Sequence, residues 1–396
     1  MSTSPLAPAV TRARIAVAAI FLVNGTVIAS WVPHIPMVKE KLGVGEAALG
    51  GLLLAMAVGA VLAFPLASYL VGRHGSRAVT LSTAALLASV LPLPVLSPSP
   101  VALAASLFVL GAANGSLDVS MNAQAVLVER LYGRPILSSL HALYSSGGLL
   151  GAALAAAFLW AGASPLVHVL SMSAVCLAAV AMSAPALIVS AASERRDDPV
   201  FVRPDRALFG LGALAFLGLM AEGAMADWSA LYLRQSLMTG PAMAGVAFGA
   251  FSLAMAAGRF AGDALVARFG ADALLRSSAL LAAAGLSAAL AIGSVPIAIA
   301  GCGAVGFGIA NVVPILFRAA ASSSIDHPER ALAAVTTTGY LGFLAGPPAI
   351  GLVAGASSLS SGLAVVALAC ATIAATGGHA IRVRPNSCLT LVPGRP

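Results

Sequence analysis

Apolar runs of about twenty residues follow one another from one end of the chain to the other. Wound as a helix, such a run crosses a hydrocarbon core roughly 30 Å thick. Backbone groups in lipid have no water to bond, so a crossing segment must satisfy its own hydrogen bonds, which favours helix. Twelve runs are expected, at about 13–37, 46–71, 77–97, 99–126, 136–161, 165–190, 207–235, 241–267, 271–294, 296–322, 331–355 and 358–381. Charged residues make up only 9% of the 396, against about 25% in an average soluble domain, too few to clothe a water-facing surface of this size. The fold class expected is therefore all-α, a polytopic membrane protein with twelve transmembrane helices in two six-helix bundles. Arg12 and Arg14 precede the first run as in a signal peptide. The run is too long for one, however, and no small-residue cleavage site follows, so a retained first helix is expected.

The charges that remain are placed unevenly. With the N-terminus inside, arginine pairs such as Arg12/Arg14, Arg73/Arg77 and Arg130/Arg134 fall on the cytoplasmic side, as do Arg195, Arg196, Arg203 and Arg206. Only Lys39, Lys41 and Arg234 fall outside. Positive charge stays on the cytoplasmic side, so both termini are expected there, in a cytoplasmic (inner) membrane. The same bias accounts for the net charge of +7 without a nucleic-acid partner. The polar break at 191–206 divides residues 1–190, an N-terminal bundle, from 207–396, a C-terminal one with a short tail.

Several chemistries are excluded. The two lysines lie outside any phosphate-binding loop sequence, so the chain carries no ATPase of its own. Cys176, Cys302, Cys370 and Cys388 are isolated, which leaves no paired-cysteine metal or redox motif. No H-E-x-x-H or G-x-S-x-G occurs and no nucleophile sits beside a base, so no enzyme, cofactor or metal is expected. The expected partners are a small-molecule solute, protons and the lipid bilayer, with the protein a monomer.

One shift of 195 residues carries the first half onto the second. It pairs Gly45 with Gly240, Gly50 with Gly245, and Leu70-Val71-x-Arg73-x-Gly75 with Leu265-Val266-x-Arg268-x-Gly270. It also pairs Gly111 with Gly306, Gly147 with Gly342 and Gly151 with Gly346. With small insertions, Asn24-Gly25…Trp31 matches Glu222-Gly223…Trp228. Parallel six-helix repeats are the design of alternating-access carriers, which bind solute between the halves.

Over its whole length the chain resembles the major facilitator superfamily. Gly72-Arg73-His74-Gly75-Ser76-Arg77 is similar to that superfamily's signature loop, with Gly72 at the usually acidic position. Leu117-Asp118-Val119-Ser120-Met121-Asn122 resembles a motif of the fucose-permease-related branch, with Ala123 in place of its proline. Ala221-Glu222-Gly223…Asp227-Trp228, Ala257–Gly262 and Thr337-Thr338-Gly339-Tyr340 resemble an enterobacterial inner-membrane member. The resemblance implies a carrier for a small polar solute, sugar-like by likeness to the fucose-permease-related branch.

Polar residues within apolar helices need an explanation, since a charge at a helix centre costs about 2.5–3.5 kcal/mol. Asp118 lies near mid-membrane, in one stripe with Asn114 and Asn122 at four-residue spacing. No cation stands within four residues of it, so it is the leading proton-coupling candidate. Glu222 lies at matching depth in the second half and is the second candidate. Candidate solute-binding groups are Asn24, Asn114, Asn122, His141, Tyr144, Asp227, Trp228 and Asn311. For the amides the alternative is glue between helices. For Trp31 and Trp228 it is an interfacial belt. Arg259 and Asp263, spaced i, i+4, are expected to pair and, with Arg73 and Arg77, to form a cytoplasmic gate. Proton-coupled symport is the leading reading. Proton-driven export of a drug or metabolite is the alternative, and a non-transporting sensor comes third.

Overall fold

The computed structural model describes residues 6–133, 136–189, 206–323 and 328–382. Cys388 and nearly all of the 191–206 linker lie outside them. Among the described residues twelve helices are long and apolar enough to cross a membrane. They are α1 Pro8–Leu42, α2 Glu46–His74, α3 Ser76–Leu96, α4 Pro100–Tyr132, α5 Ser139–Trp160 and α6 Pro165–Ala186 in the first half. In the second half they are α7 Leu208–Ser236, α8 Pro241–Phe269, α9 Ala271–Ile292, α10 Val295–Ser323, α11 Ala334–Ala356 and α12 Leu359–Ile381. Each expected run is found, to within a few residues at its ends. Helix α1 tightens at Val32–His34, where Pro33 and Pro36 remove backbone donors. Helix α10 is broken at Ala310–Asn311.

The 195-residue shift is a structural register. Gly75 and Gly270 end α2 and α8 with the same backbone, φ +80° and ψ 153° against φ +78° and ψ 155°, a conformation glycine adopts without a Cβ penalty. Helix α2 packs on α4 and α8 on α10 through matching glycines. A methyl on Gly111 would strike the Met56 carbonyl oxygen, and one on Gly306 would strike that of Phe251. Helix α1 packs on α5 and α7 on α11 in the same way, with Gly147 against the Leu22 carbonyl and Gly342 against that of Phe216. This last pair corrects one expectation. The carbonyls that meet Gly147 and Gly342 are 194 residues apart, which puts Glu222 opposite Ile28 and not opposite Asn24.

The halves meet along α2–α11 and α5–α8. Toward the end that carries Glu46 the backbones come close, Gly50 against Pro347, Gly351 against Glu46 and Gly245 against Ala152. Lys39 holds Glu46 at 3.0 Å and Gln235 of the other half at 3.3 Å, and Arg234 lies 3.6 Å from Glu40. The molecule is thus joined from its waist to the Glu46 end.

Candidate functional site: a polar belt between the halves

At the waist, helices from both halves place polar side chains in one band. Packing on α2 and α1 fixes the rotation of α4, because Gly111 and Gly115 face α2 and Met121 meets Asn24 of α1. Asp118 is left facing the interface. One of its carboxylate oxygens accepts from Asn122 Nδ2 at 3.1 Å, and the other accepts from the Tyr340 hydroxyl of α11 at 3.2 Å. The Tyr340 ring also meets Phe64 of α2 edge-on, 5.1 Å between centroids.

Glu222 of α7 pairs with Arg259 of α8, whose Nη2 lies 3.1 and 3.3 Å from the two carboxylate oxygens. Arg259 Nη1 donates across the interface to Ser145 Oγ at 2.7 Å. Tyr144 stands within electrostatic reach of Glu222, Asp118 and Arg259. One turn toward the Arg73 end, His141 is exposed and meets Phe21 edge-on at 5.3 Å. The two contacts across the waist are related by the repeat. Adding 195 to Phe64 gives Arg259, and adding 195 to Ser145 gives Tyr340, so the ring contact in one place is a hydrogen bond in the other.

Several expectations are corrected. Arg259 does not pair with Asp263, although both lie on one face of α8. Glu222 is the better partner because both groups are screened from water, with side-chain exposures of 16% and 20%. A charge withdrawn from water needs an opposite charge far more than one at the surface does. Asp263 instead meets Arg318 of α10 at 3.3 Å, at 75% and 61% exposure. Arg73 donates to Tyr69 on its own helix and Arg77 to the Ala184 carbonyl of α6. The four expected gate residues therefore form no single network, and Arg259 belongs to the waist.

Asn311 sits at the break in α10 and donates to the Gly258 carbonyl at 2.9 Å, which fastens α10 to α8. Asn24 is 1% exposed and turned to α4. Both amide nitrogens are turned to neighbouring helices, and Asn24 Oδ1 has no partner among the described residues. Asn114 is partly buried in the Asp118 stripe, and its Oδ1 has no partner among the described residues. Gly218 packs on Val312 and Gly223 on Phe343, which fixes the rotation of α7. Asp227 is about 140° round that helix from Glu222 and does not join the belt. Trp31 and Trp228 are 2% and 0% exposed, so they form neither an interfacial belt nor an open platform.

Sequence reading did not assign Tyr340, Ser145 or Phe64 a role. The signal was present, because the 195-residue shift places Phe64 under Arg259 and Ser145 under Tyr340.

A twelve-helix membrane protein of two equivalent halves, with partly buried charged side chains bonded across the seam between them, has the architecture of an alternating-access carrier. The comparisons give the family. The chain is 40% identical over 356 residues to an MFS-type transporter of Yersinia pestis, covering 90% of this chain and 92% of that protein. It is 35% identical over 367 residues to membrane protein MosC of Rhizobium meliloti, covering 90% and 89%. It is 34% identical over 367 residues to a transporter of Sinorhizobium fredii, covering 90% and 95%. Among solved structures, a mutant of the nucleoside transporter NupG aligns with a TM-score of 0.71 at 13% identity, covering 93% of this chain and 99% of that one. The D-xylose–proton symporter aligns with a TM-score of 0.68 at 13% identity, covering 91% and 95%. No family model matches the sequence. The chain belongs to the major facilitator superfamily of transporters, and it is a multi-pass membrane protein.

Proposed function

We propose that the protein is a proton-coupled symporter of a small polar solute, with Asp118 as the coupling group. One observation carries this reading. Of the two carboxylates in the belt, Glu222 is neutralised by Arg259, and Asp118 has only neutral partners in Asn122 and Tyr340. Of these two, Asp118 is therefore the group for which a proton makes the larger difference. Its bond to Tyr340 crosses the interface, so protonation and the relation of the halves act on one contact.

Residues 1–190 and 207–396 are the two bundles that rock against each other, and the carrier is a monomer in the cytoplasmic membrane. With both termini cytoplasmic, as the arginine bias requires, the Glu46 end is the outer one, and this state faces inward. The likeness of the Asp118 motif to the fucose-permease-related branch supports a sugar-like solute. So do the names of two structural neighbours, one a nucleoside transporter and one a xylose–proton symporter.

Asp118→Asn, which mimics the permanently protonated acid, tests the reading in proteoliposomes. Solute exchange should persist while accumulation driven by a proton gradient falls to background. Accumulation at the native rate and proton ratio would remove Asp118 from the mechanism. Proton movement opposite to solute would make the protein an exporter.

A further inference from the structure

We infer that Glu222 is a built-in counter-ion that masks Arg259, and that this masking makes the chamber reject anionic solutes, so that the solute carried is a neutral or cationic polar compound. The inference rests on the reading of the waist as the solute path.

The argument starts from the charges at the waist. Arg259 is the residue through which a carrier of this shape would grip an acidic solute, because a guanidinium presents donors in a fork that fits a carboxylate or phosphate. Here both terminal nitrogens of the fork are engaged. Nη2 is on both oxygens of Glu222, and Nη1 is 2.7 Å from Ser145 Oγ. The pair is also screened from water, so separating it would strand two charges in a poorly solvated place. A carboxylate on the solute that took Nη2 would displace Glu222 and leave that carboxylate unpaired beside the newcomer, and one that bound elsewhere on the guanidinium would meet a charge already neutralised.

The rest of the belt offers no compensating charge. Asp118 adds a negative charge held by neutral donors only. His141 is exposed and lies within electrostatic reach of Arg259. At pH 8 a histidine side chain is neutral and supplies no compensating charge. With Asp118 ionised, Asp118, Glu222 and Arg259 together hold one net negative charge. That charge admits one proton or one cationic group and repels an anion.

The sign of the field can be read without knowing the solute. In protein whose four native cysteines are replaced, His141→Cys places a thiol at an exposed position one turn from the belt. Its modification rate is measured at pH 8 with a cationic and an anionic methanethiosulfonate of similar size, each normalised to its rate with a free thiol. The cationic reagent should be faster by about tenfold, the size of effect a charged cleft produces. Adding Glu222→Gln should bring that ratio to one or below, because the guanidinium is then unmasked. Glu222→Asp keeps the counter-ion and should keep the ratio, which controls for misfolding. Adding Arg259→Gln should raise the preference for the cation.

Equal rates before any charge is altered would overturn the inference, as would a ratio that Glu222→Gln leaves unchanged. A thiol that neither reagent reaches would overturn the chamber itself. None of these readings depends on transport. Failure of the charge filter is therefore distinct from failure of the carrier reading, which is decided by gradient-driven uptake.

Discussion

The Tyr340 hydroxyl donates to an Asp118 carboxylate oxygen at 3.2 Å, and the two residues belong to opposite halves of the molecule. A hydrogen bond to an ionised acceptor contributes about 1.5–3 kcal/mol, more than a neutral one. This contact therefore favours the state joined at the Glu46 end whenever Asp118 is charged. Tyr340→Phe removes the hydroxyl and keeps the ring against Phe64. The expected result is a shift of population toward the alternative state, about tenfold or more. Spin labels at His74 and Arg268, both exposed at the ends of α2 and α8, would report it as a new, shorter distance. An unchanged distance distribution would show that the bond does not bias the halves.

How far such a site can be read from sequence depends on the range of the interaction. The twelve helices were legible because each is a local run of apolar residues, and the family was legible from the repeat and the signature loop. The position of Asp118 was legible too, because an acid inside an apolar helix is conspicuous. Its partner was not, since Tyr340 is 222 residues away and meets it only after the halves pack. Arg259 shows the opposite error. The i, i+4 rule gave it Asp263, which is correct spacing for an isolated helix. The rule does not know that Arg259 faces an acid on α7 in a place with little water. The amides Asn24 and Asn311 looked like solute ligands because a polar group in an apolar helix must be satisfied, but their partners proved to be other helices.

The repeat makes a paired prediction about packing. Gly111 and Gly306 each lie against a backbone carbonyl of the neighbouring helix, and a carbonyl cannot yield as a side chain can. Gly111→Val and Gly306→Val should each cost about 1–3 kcal/mol or more through overpacking. Both should lower the melting temperature in detergent by similar amounts. Gly51→Ala faces open space within a helix and should not lower it. A tolerant Gly306 beside an intolerant Gly111 would show that the halves are less equivalent than their glycines suggest.

Topology can be tested at two exposed positions. Met238, between α7 and α8, is 84% exposed, and His74, at the end of α2, is exposed at the opposite end of the molecule. If the arginine bias sets orientation, a cysteine replacing Met238 reacts with an impermeant reagent added outside intact cells. A cysteine replacing His74 should react only after permeabilisation. The reverse pattern would invert the orientation and make this state outward-facing.

The Glu46 end offers a test of what holds the halves shut. Lys39 is 9% exposed, lies 3.0 Å from Glu46, and reaches Gln235 of the other half at 3.3 Å. Arg234 and Glu40 also lie across this end, at 3.6 Å and with side-chain exposures of 32% and 47%. An ion pair that open to water contributes roughly 0–1 kcal/mol, whereas a hydrogen bond from a charged group contributes about 1.5–3. Lys39→Met should therefore open this end and cut uptake several-fold, with the same change in the His74–Arg268 distance as Tyr340→Phe. Glu40→Gln should change uptake by less than about twofold, since a solvated pair holds so little. If Glu40→Gln proved as damaging as Lys39→Met, the latch would be the exposed pair, and the ordering by burial would be wrong.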